Sequence, residues 1–149
     1  MKNILISACL LGEKCRYDGA GKEPLDLSRF GDEYNFIPVC PEVLGGLPTP
    51  RVPSERVGER VVMRDGKDVT ENFLRGAREA YRICTEHGCR AAILKEKSPS
   101  CGKGKIYDGS FSGTLTEGDG VAAEYLAERG ILVIGESELD ELSKILRKF

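Results

Sequence analysis

Four short apolar runs punctuate the chain: Ile4-Leu5-Ile6-Ser7-Ala8, Phe36-Ile37-Pro38-Val39, Ala91-Ala92-Ile93-Leu94 and Ile131-Leu132-Val133-Ile134. Each is too short for a helix and nearly continuous in hydrophobicity, the pattern of strands buried on both faces of a parallel sheet. Pro38 cannot donate to a ladder, so its run belongs at a sheet edge or a strand end. Between the runs the period changes to that of a helix. From Thr70 to His87, Phe73, Ala77, Ala80 or Tyr81, and Cys84 share one face, Asp68 and Glu71 have capping-box spacing, and Gly88 ends the pattern. Val121 to Arg129 ends at Gly130, and Ser137 to Phe149 is amphipathic, with Leu139, Leu142, Ile145 and Leu146 inward. A shorter, weaker helical pattern covers Leu25 to Tyr34. Val61-Val62-Met63 and Val69, flanking Asp65-Gly66, predict a small hairpin.

Two stretches have no period. Gly45 to Pro53 has two glycines followed by three prolines, which excludes helix and predicts a stiff extended wall beside Cys40. Gly102 to Gly113 is glycine-rich and is expected to be a long surface loop. Strands alternating with helices predict an α/β, Rossmann-like three-layer domain: a mostly parallel sheet of about four strands, order 2-1-3-4, plus a small hairpin. That order places a switch point between the first and third strands, where open α/β sheets bind ligands at the carboxyl ends.

Each of the first three runs leads to a thiol. The first enters Cys9, the second enters Cys40-Pro41-Glu42, and the third feeds Lys95-Glu96-Lys97-Ser98-Pro99-Ser100-Cys101-Gly102. If those strands are parallel neighbours, Cys9, Cys40 and Cys101 open on one crevice, with Cys15 in the loop after the first strand. Cys84 and Cys89 read as core fillers instead, one on the apolar helix face and the other just past Gly88.

Composition narrows the function. At 149 residues the chain is expected to form one domain, residues 1–149. Its 40% hydrophobic and 31% charged content are those of a soluble globular protein. A net charge of −2, with no basic excess, argues against nucleic acid and for a small-molecule ligand. The apolar core Ile4-Leu5-Ile6 falls short of the roughly 7 residues of a secretory signal, so a cytoplasmic monomer or weak homo-oligomer is expected. In a reducing compartment six cysteines are metal ligands or reactive thiols rather than a disulfide framework. No C-x-x-C pair occurs, and the single histidine, His87, at the end of its helix, suits the helix dipole better than catalysis.

The four loop thiols admit several readings. They could be small hydrophobes at strand ends, or close a tetrahedral zinc site, although such sites usually include a short-spaced pair. They could carry sulfur as thiol or persulfide through Cys15 or Cys101. Alternatively, three of them could hold an iron–sulfur cubane whose remaining iron stays open to substrate. Glu42, two residues from Cys40, would have a raised pKa in a dry crevice and could move a proton. Specificity contacts are expected from the loops Arg16 to Gly21 and Tyr107 to Gly113.

Three motifs carry a resemblance: Ser7-Ala8-Cys9-Leu10-Leu11-Gly12 with Cys15-Arg16-Tyr17-Asp18-Gly19; Pro38-Val39-Cys40-Pro41-Glu42 with Gly45-Gly46-Leu47-Pro48-Thr49-Pro50-Arg51; and Lys97-Ser98-Pro99-Ser100-Cys101-Gly102. Together they resemble the bacterial 2-thiouracil desulfidases over nearly the whole chain. The resemblance implies a stand-alone catalytic domain with a [4Fe-4S] cluster on Cys9, Cys40 and Cys101. It implies removal of sulfur from a thiolated pyrimidine, giving the oxo-base and sulfide without net redox change. On that resemblance Glu42 and Ser98 would be catalytic; Arg16, Asp18 and Ser100 are, separately, the expected substrate contacts. Cys15, inside the first motif, is a candidate fourth or substitute ligand.

Overall fold

The computed structural model describes residues 2–20 and 23–146. In chain order its elements are β1 (Lys2–Ser7), β2 (Tyr34–Val39), α1 (Pro41–Leu44), β3 (Ser54–Val57), β4 (Arg60–Met63), α2 (Thr70–Glu86), β5 (Ala91–Leu94), β6 (Lys105–Tyr107), β7 (Leu115–Glu117), α3 (Val121–Glu128), β8 (Leu132–Gly135) and α4 (Leu139–Leu146). Single 3₁₀ turns cover Ala8–Leu11, Ser28–Phe30 and Glu136–Glu138.

The main sheet has the order β2-β1-β5-β8, every pair parallel. This is the predicted 2-1-3-4 arrangement of the four apolar runs. Side chains alternate between its faces, as the pleat requires. Ile4, Ile6 and Ile93 face Leu139, Leu142 and Leu146 of α4, while Leu5, Ala92 and Leu94 face Ala80 and Cys84 of α2 and Ala123 and Leu126 of α3. Three layers result, and β2, with Pro38, lies at the edge.

A third cluster forms under the small hairpin, where Val61, Met63 and Val69 cover Phe73 and Ala77 of α2. The expected hairpin about Asp65-Gly66 forms, with the Met63 N–H on the Lys67 carbonyl oxygen at 2.8 Å and the Val69 N–H on the Val61 carbonyl oxygen at 2.9 Å, and the structure adds a strand to it. That strand, β3, pairs antiparallel with β4, turning between Val57 and Arg60. Asp65-Gly66 makes a second, tighter turn, in which Gly66 N–H reaches the Met63 carbonyl at 2.8 Å and Val62 bridges to Asp68. Ser54-Glu55-Arg56 had hidden β3, because its polar side chains mask any apolar alternation.

Other boundaries also moved. Within Leu25 to Tyr34 the helical residues are Ser28–Phe30, after which the chain passes Gly31 and enters β2 at Tyr34. Phe30 is buried there, edge-on to Tyr34 and Phe36. The passage expected to be a plain loop contains β6, paired antiparallel with β7. At the start of α2 the capping box does not form; Asp68 Oδ1 instead accepts from the N–H (2.9 Å) and hydroxyl (2.6 Å) of Thr70. The expected end of the last helix, at Phe149, lies outside the described residues. Among the described residues no helix is long and apolar enough to cross a membrane.

One junction matters for the site. Cys40 leads into α1 with Pro41 in its first turn, where a missing N–H costs nothing. This helix lies directly on the backbone of α2: a Cβ on Gly76 would sit 1.8 Å from the Pro41 carbonyl oxygen, and one on Gly45 2.0 Å from that of Asn72.

Candidate active site

The carboxyl ends of β1, β2 and β5 open on one cavity of about 380 Å³. From β1 the chain turns at Ala8–Leu11 and places Cys9 on its wall; from β2 it places Cys40 and, one residue into α1, Glu42. After β5, Lys95 N–H donates to Ser7 Oγ at 2.9 Å, tying the third strand end to the first. The turn that follows is organised by Ser98, whose Oγ accepts from the N–H groups of Ser100 (3.1 Å) and Cys101 (3.0 Å). Its hydroxyl hydrogen is thereby left to donate. Carbonyls of Pro99 and Ser100 accept from Val121 and Ala122 at 2.8 Å each, which docks the Cys101 turn on the start of α3.

Cys9, Cys15, Cys40 and Cys101 all line this cavity, with Glu42, Arg51 and Ser98. Cys40 is the common neighbour, its Sγ 3.8 Å from the Cys15 carbonyl oxygen. Burial pushes the Cys101 thiol up to about 12, opposed by the Ser7 hydroxyl and reinforced by Cys40, Cys9 and Glu42. Cys15 is likewise pushed up to about 12, by burial and then by Cys40. Cys9 is raised by the same two causes in the same order. Such a group of thiols resists ionisation until a cation offsets the accumulating charge, the electrostatic character of a metal site.

Thiols are the donors that iron–sulfur clusters take, and Cys9, Cys40 and Cys101 share one cavity wall, so the residues present fit such a group. Among the described residues no three His, Cys, Asp or Glu side chains are gathered closely enough to hold one metal ion.

Glu42 does not face solvent. Arg51 Nε–H donates to its Oε1 at 3.0 Å, and the two side chains are 3% and 16% exposed, arginine first. Burial holds the Glu42 carboxyl above the ordinary carboxylate range, and Arg51 pulls in the opposite direction.

The remaining expected residues separate. Arg16 lines the cavity. Asp18 does not; its Oδ1 accepts from the Ala20 N–H at 2.9 Å within its own turn. Ser100 also lies off the cavity wall, its side chain buried and its hydroxyl without a partner among the described residues. Cys84 and Cys89 sit in the core, the Cys84 thiol 3.4 Å from the Cys89 carbonyl oxygen. His87 is exposed at the end of α2, its Nδ1 3.0 Å from the Ile83 carbonyl oxygen. Of the two loops expected to supply specificity contacts, Arg16 and Tyr17 from the first and Tyr107, Phe111 and Gly113 from the second line the cavity. Sequence reasoning missed Arg51 as the partner of Glu42, and missed Glu55 and Arg64 on the wall. Arg51 stood inside a recognised motif, whereas the other two lie in segments without a legible strand pattern.

Residues 4–138 match the family model described as 2-thiouracil desulfurase. The chain belongs to this family. A solved structure described as the [4Fe-4S]-dependent thiouracil desulfidase TudS is 47% identical and superposes with a TM-score of 0.95, covering 100% of both chains. An uncharacterized protein of Bacillus subtilis (strain 168), YbbK, is 41% identical over 149 residues, 93% of this chain and 99% of its own. Within the family frame, three strand-end thiols, a buried carboxylate and a serine hydroxyl occupy one cavity.

Proposed function

We propose that this chain, acting as a single catalytic domain, is an iron–sulfur-dependent desulfidase that converts a thiolated pyrimidine such as 2-thiouracil, with water, into the oxo-base and hydrogen sulfide. The observation that carries this reading is the convergence of Cys9, Cys40 and Cys101 with Glu42 and Ser98 on one wall system. Likeness to the thiouracil desulfidase TudS over the full length supports it.

In this reading Cys9, Cys40 and Cys101 hold a [4Fe-4S] cluster, which when bound supplies an iron with an open position, a Lewis acid and a soft acceptor for the departing sulfur. The chain's own groups do the rest. Ser98 donates its free hydroxyl hydrogen to an acceptor on the pyrimidine ring and so fixes its direction. Glu42 accepts a proton at a carboxylate oxygen from the water that attacks the sulfur-bearing carbon, then returns it to the departing sulfide. Arg51 keeps that carboxylate turned into the cavity. Cys15, beside Cys40, remains outside this set as a candidate fourth ligand.

A thiol carrier is less well supported, because burial holds Cys15 and Cys101 protonated at neutral pH, opposite to the activation a nucleophilic thiol needs. The test is anaerobic reconstitution followed by a 2-thiouracil assay. About four irons per chain with sulfide release are expected; stable loading with zinc alone, or turnover without metal, would overturn the proposal.

A further inference from the structure

On the wall of the same cavity, β3 grips the loop between β6 and β7. Glu55, on β3, is 9% exposed, and a single carboxylate oxygen accepts from the N–H of Gly109 at 2.9 Å and of Phe111 at 3.1 Å. Gly109 has φ of +96° and lies so close to β3 that a Cβ would approach Val57 to 2.2 Å. Phe111 itself has φ of +56°, a conformation that bulky residues rarely adopt and that persists only where surrounding contacts impose it. Here the imposing contact is the buried carboxylate.

The outcome is a half-buried phenyl ring on the cavity wall, with the Arg64 guanidinium carbon 5.6 Å from its centroid. Core packing does not require that arrangement, since Phe111 belongs to none of the three apolar clusters. A flat apolar face on the same cavity as the thiols, with Arg64 beside it, matches a planar heteroaromatic ring, which gains from stacking on an aromatic side chain.

We propose that Phe111 is the stacking wall for the planar base and that Glu55 is the positioning residue that holds it there through the backbone. This inference rests on the desulfidase reading for the identity of the base, and concerns how the ring is seated rather than how its sulfur leaves.

The experiment uses cluster-loaded protein under anaerobic conditions, with uracil affinity measured by titration calorimetry and kcat and KM measured on 2-thiouracil. Phe111→Leu, which keeps an apolar side chain but loses the flat face, should weaken uracil binding on the order of tenfold and raise KM, with iron content and kcat little changed. Phe111→Tyr should bind as the parent does. Glu55→Ala should reproduce the Phe111→Leu loss, and Glu55→Gln should rescue it, because the amide oxygen still accepts from both N–H groups. The Glu55→Ala/Phe111→Leu pair should be no weaker than Phe111→Leu alone. Parent affinity in Phe111→Leu, additive losses in the pair, or a parent that binds no pyrimidine would each overturn the wall. A parent that binds uracil through Phe111 but leaves 2-thiouracil intact would overturn the desulfidase reading and leave the wall standing.

Discussion

Arg51 spans two parts of the cavity at once: its Nε–H donates to Glu42 Oε1 at 3.0 Å and one Nη2–H to the Cys15 carbonyl oxygen at 3.0 Å. Its Nη1 is used too, on the Pro48 carbonyl oxygen at 3.1 Å and Thr49 Oγ1 at 3.0 Å. One guanidinium therefore fixes the carboxylate, the wall behind it and the thiol loop in a common frame. Exposed pairs elsewhere, such as Arg82 with Glu79 and Glu86, have no such neighbours and contribute little.

Glu42→Gln keeps the size of the side chain and a hydrogen bond from Arg51 but cannot take a proton. Iron content should match the parent, while turnover of 2-thiouracil falls by roughly 10²–10⁴, the range for loss of a general base. Paired iron assays and rate measurements check this; parent-like turnover would remove Glu42 from the chemistry.

Arg51→Met leaves Glu42 buried without its cation, and should cost about 3 kcal/mol in denaturant unfolding. Adding Glu42→Gln to that variant removes the orphaned charge, so the double variant should be more stable than Arg51→Met alone. A double-mutant cycle measures the coupling.

Cys84→Ala and Cys89→Ala should retain the cluster and lose on the order of 1 kcal/mol each, the cost of a small cavity. Cys9→Ala, Cys40→Ala and Cys101→Ala should each lose iron while remaining folded, as followed by iron analysis and circular dichroism. Iron loss from a folded Cys84 or Cys89 variant would reassign the ligands.

In an exposed helix interior Gly→Ala ordinarily stabilises by about 1 kcal/mol. At Gly76 the sign should reverse, because the new Cβ would lie 1.8 Å from the Pro41 carbonyl oxygen, and α1 must move to make room. Gly76→Ala should therefore lower the melting temperature and, by displacing Cys40 and Glu42, lower activity and iron content together.

Asp68 gives a pH signature independent of the site. Bonds from the Thr70 hydroxyl, then the Thr70 N–H and Arg60, lower its pKa to about 2. A carboxyl depressed in the folded state stabilises above its unfolded pKa, near 3.9. That contribution is lost as pH falls through the folded value. Asp68→Asn should be less stable than the parent at pH 6, and the gap in melting temperature should close between about pH 4 and pH 2.

Much of this architecture was legible because buried parallel strands write themselves as continuous apolar runs. The runs containing Ile4, Phe36, Ala91 and Ile131 sufficed to give the order of the sheet and hence the meeting of three thiols. What stayed hidden was built by polar residues. Glu55 sits in a strand whose alternation is masked by Ser54 and Arg56, and its partners are backbone N–H groups that no side-chain pattern encodes. Asp18 and Ser100 sat in recognised motifs, yet Asp18 holds its own turn and Ser100 packs beneath α3. Position within a motif reports proximity to a site, not the direction in which a side chain points.

The sheet order also carries a consequence for the timing of assembly. Cys9 and Cys40 lie in the first third of the chain, but Cys101 rides on the strand that inserts beside β1, and its turn is docked on α3 by Val121 and Ala122. A nascent chain that has emerged only as far as β5 holds two of the three proposed ligands, Cys9 and Cys40, and an unfinished wall. On that ligand set the site is complete only once Cys101 and the start of α3 that docks its turn have been synthesised, so cofactor loading is expected to follow synthesis of the carboxyl-terminal third.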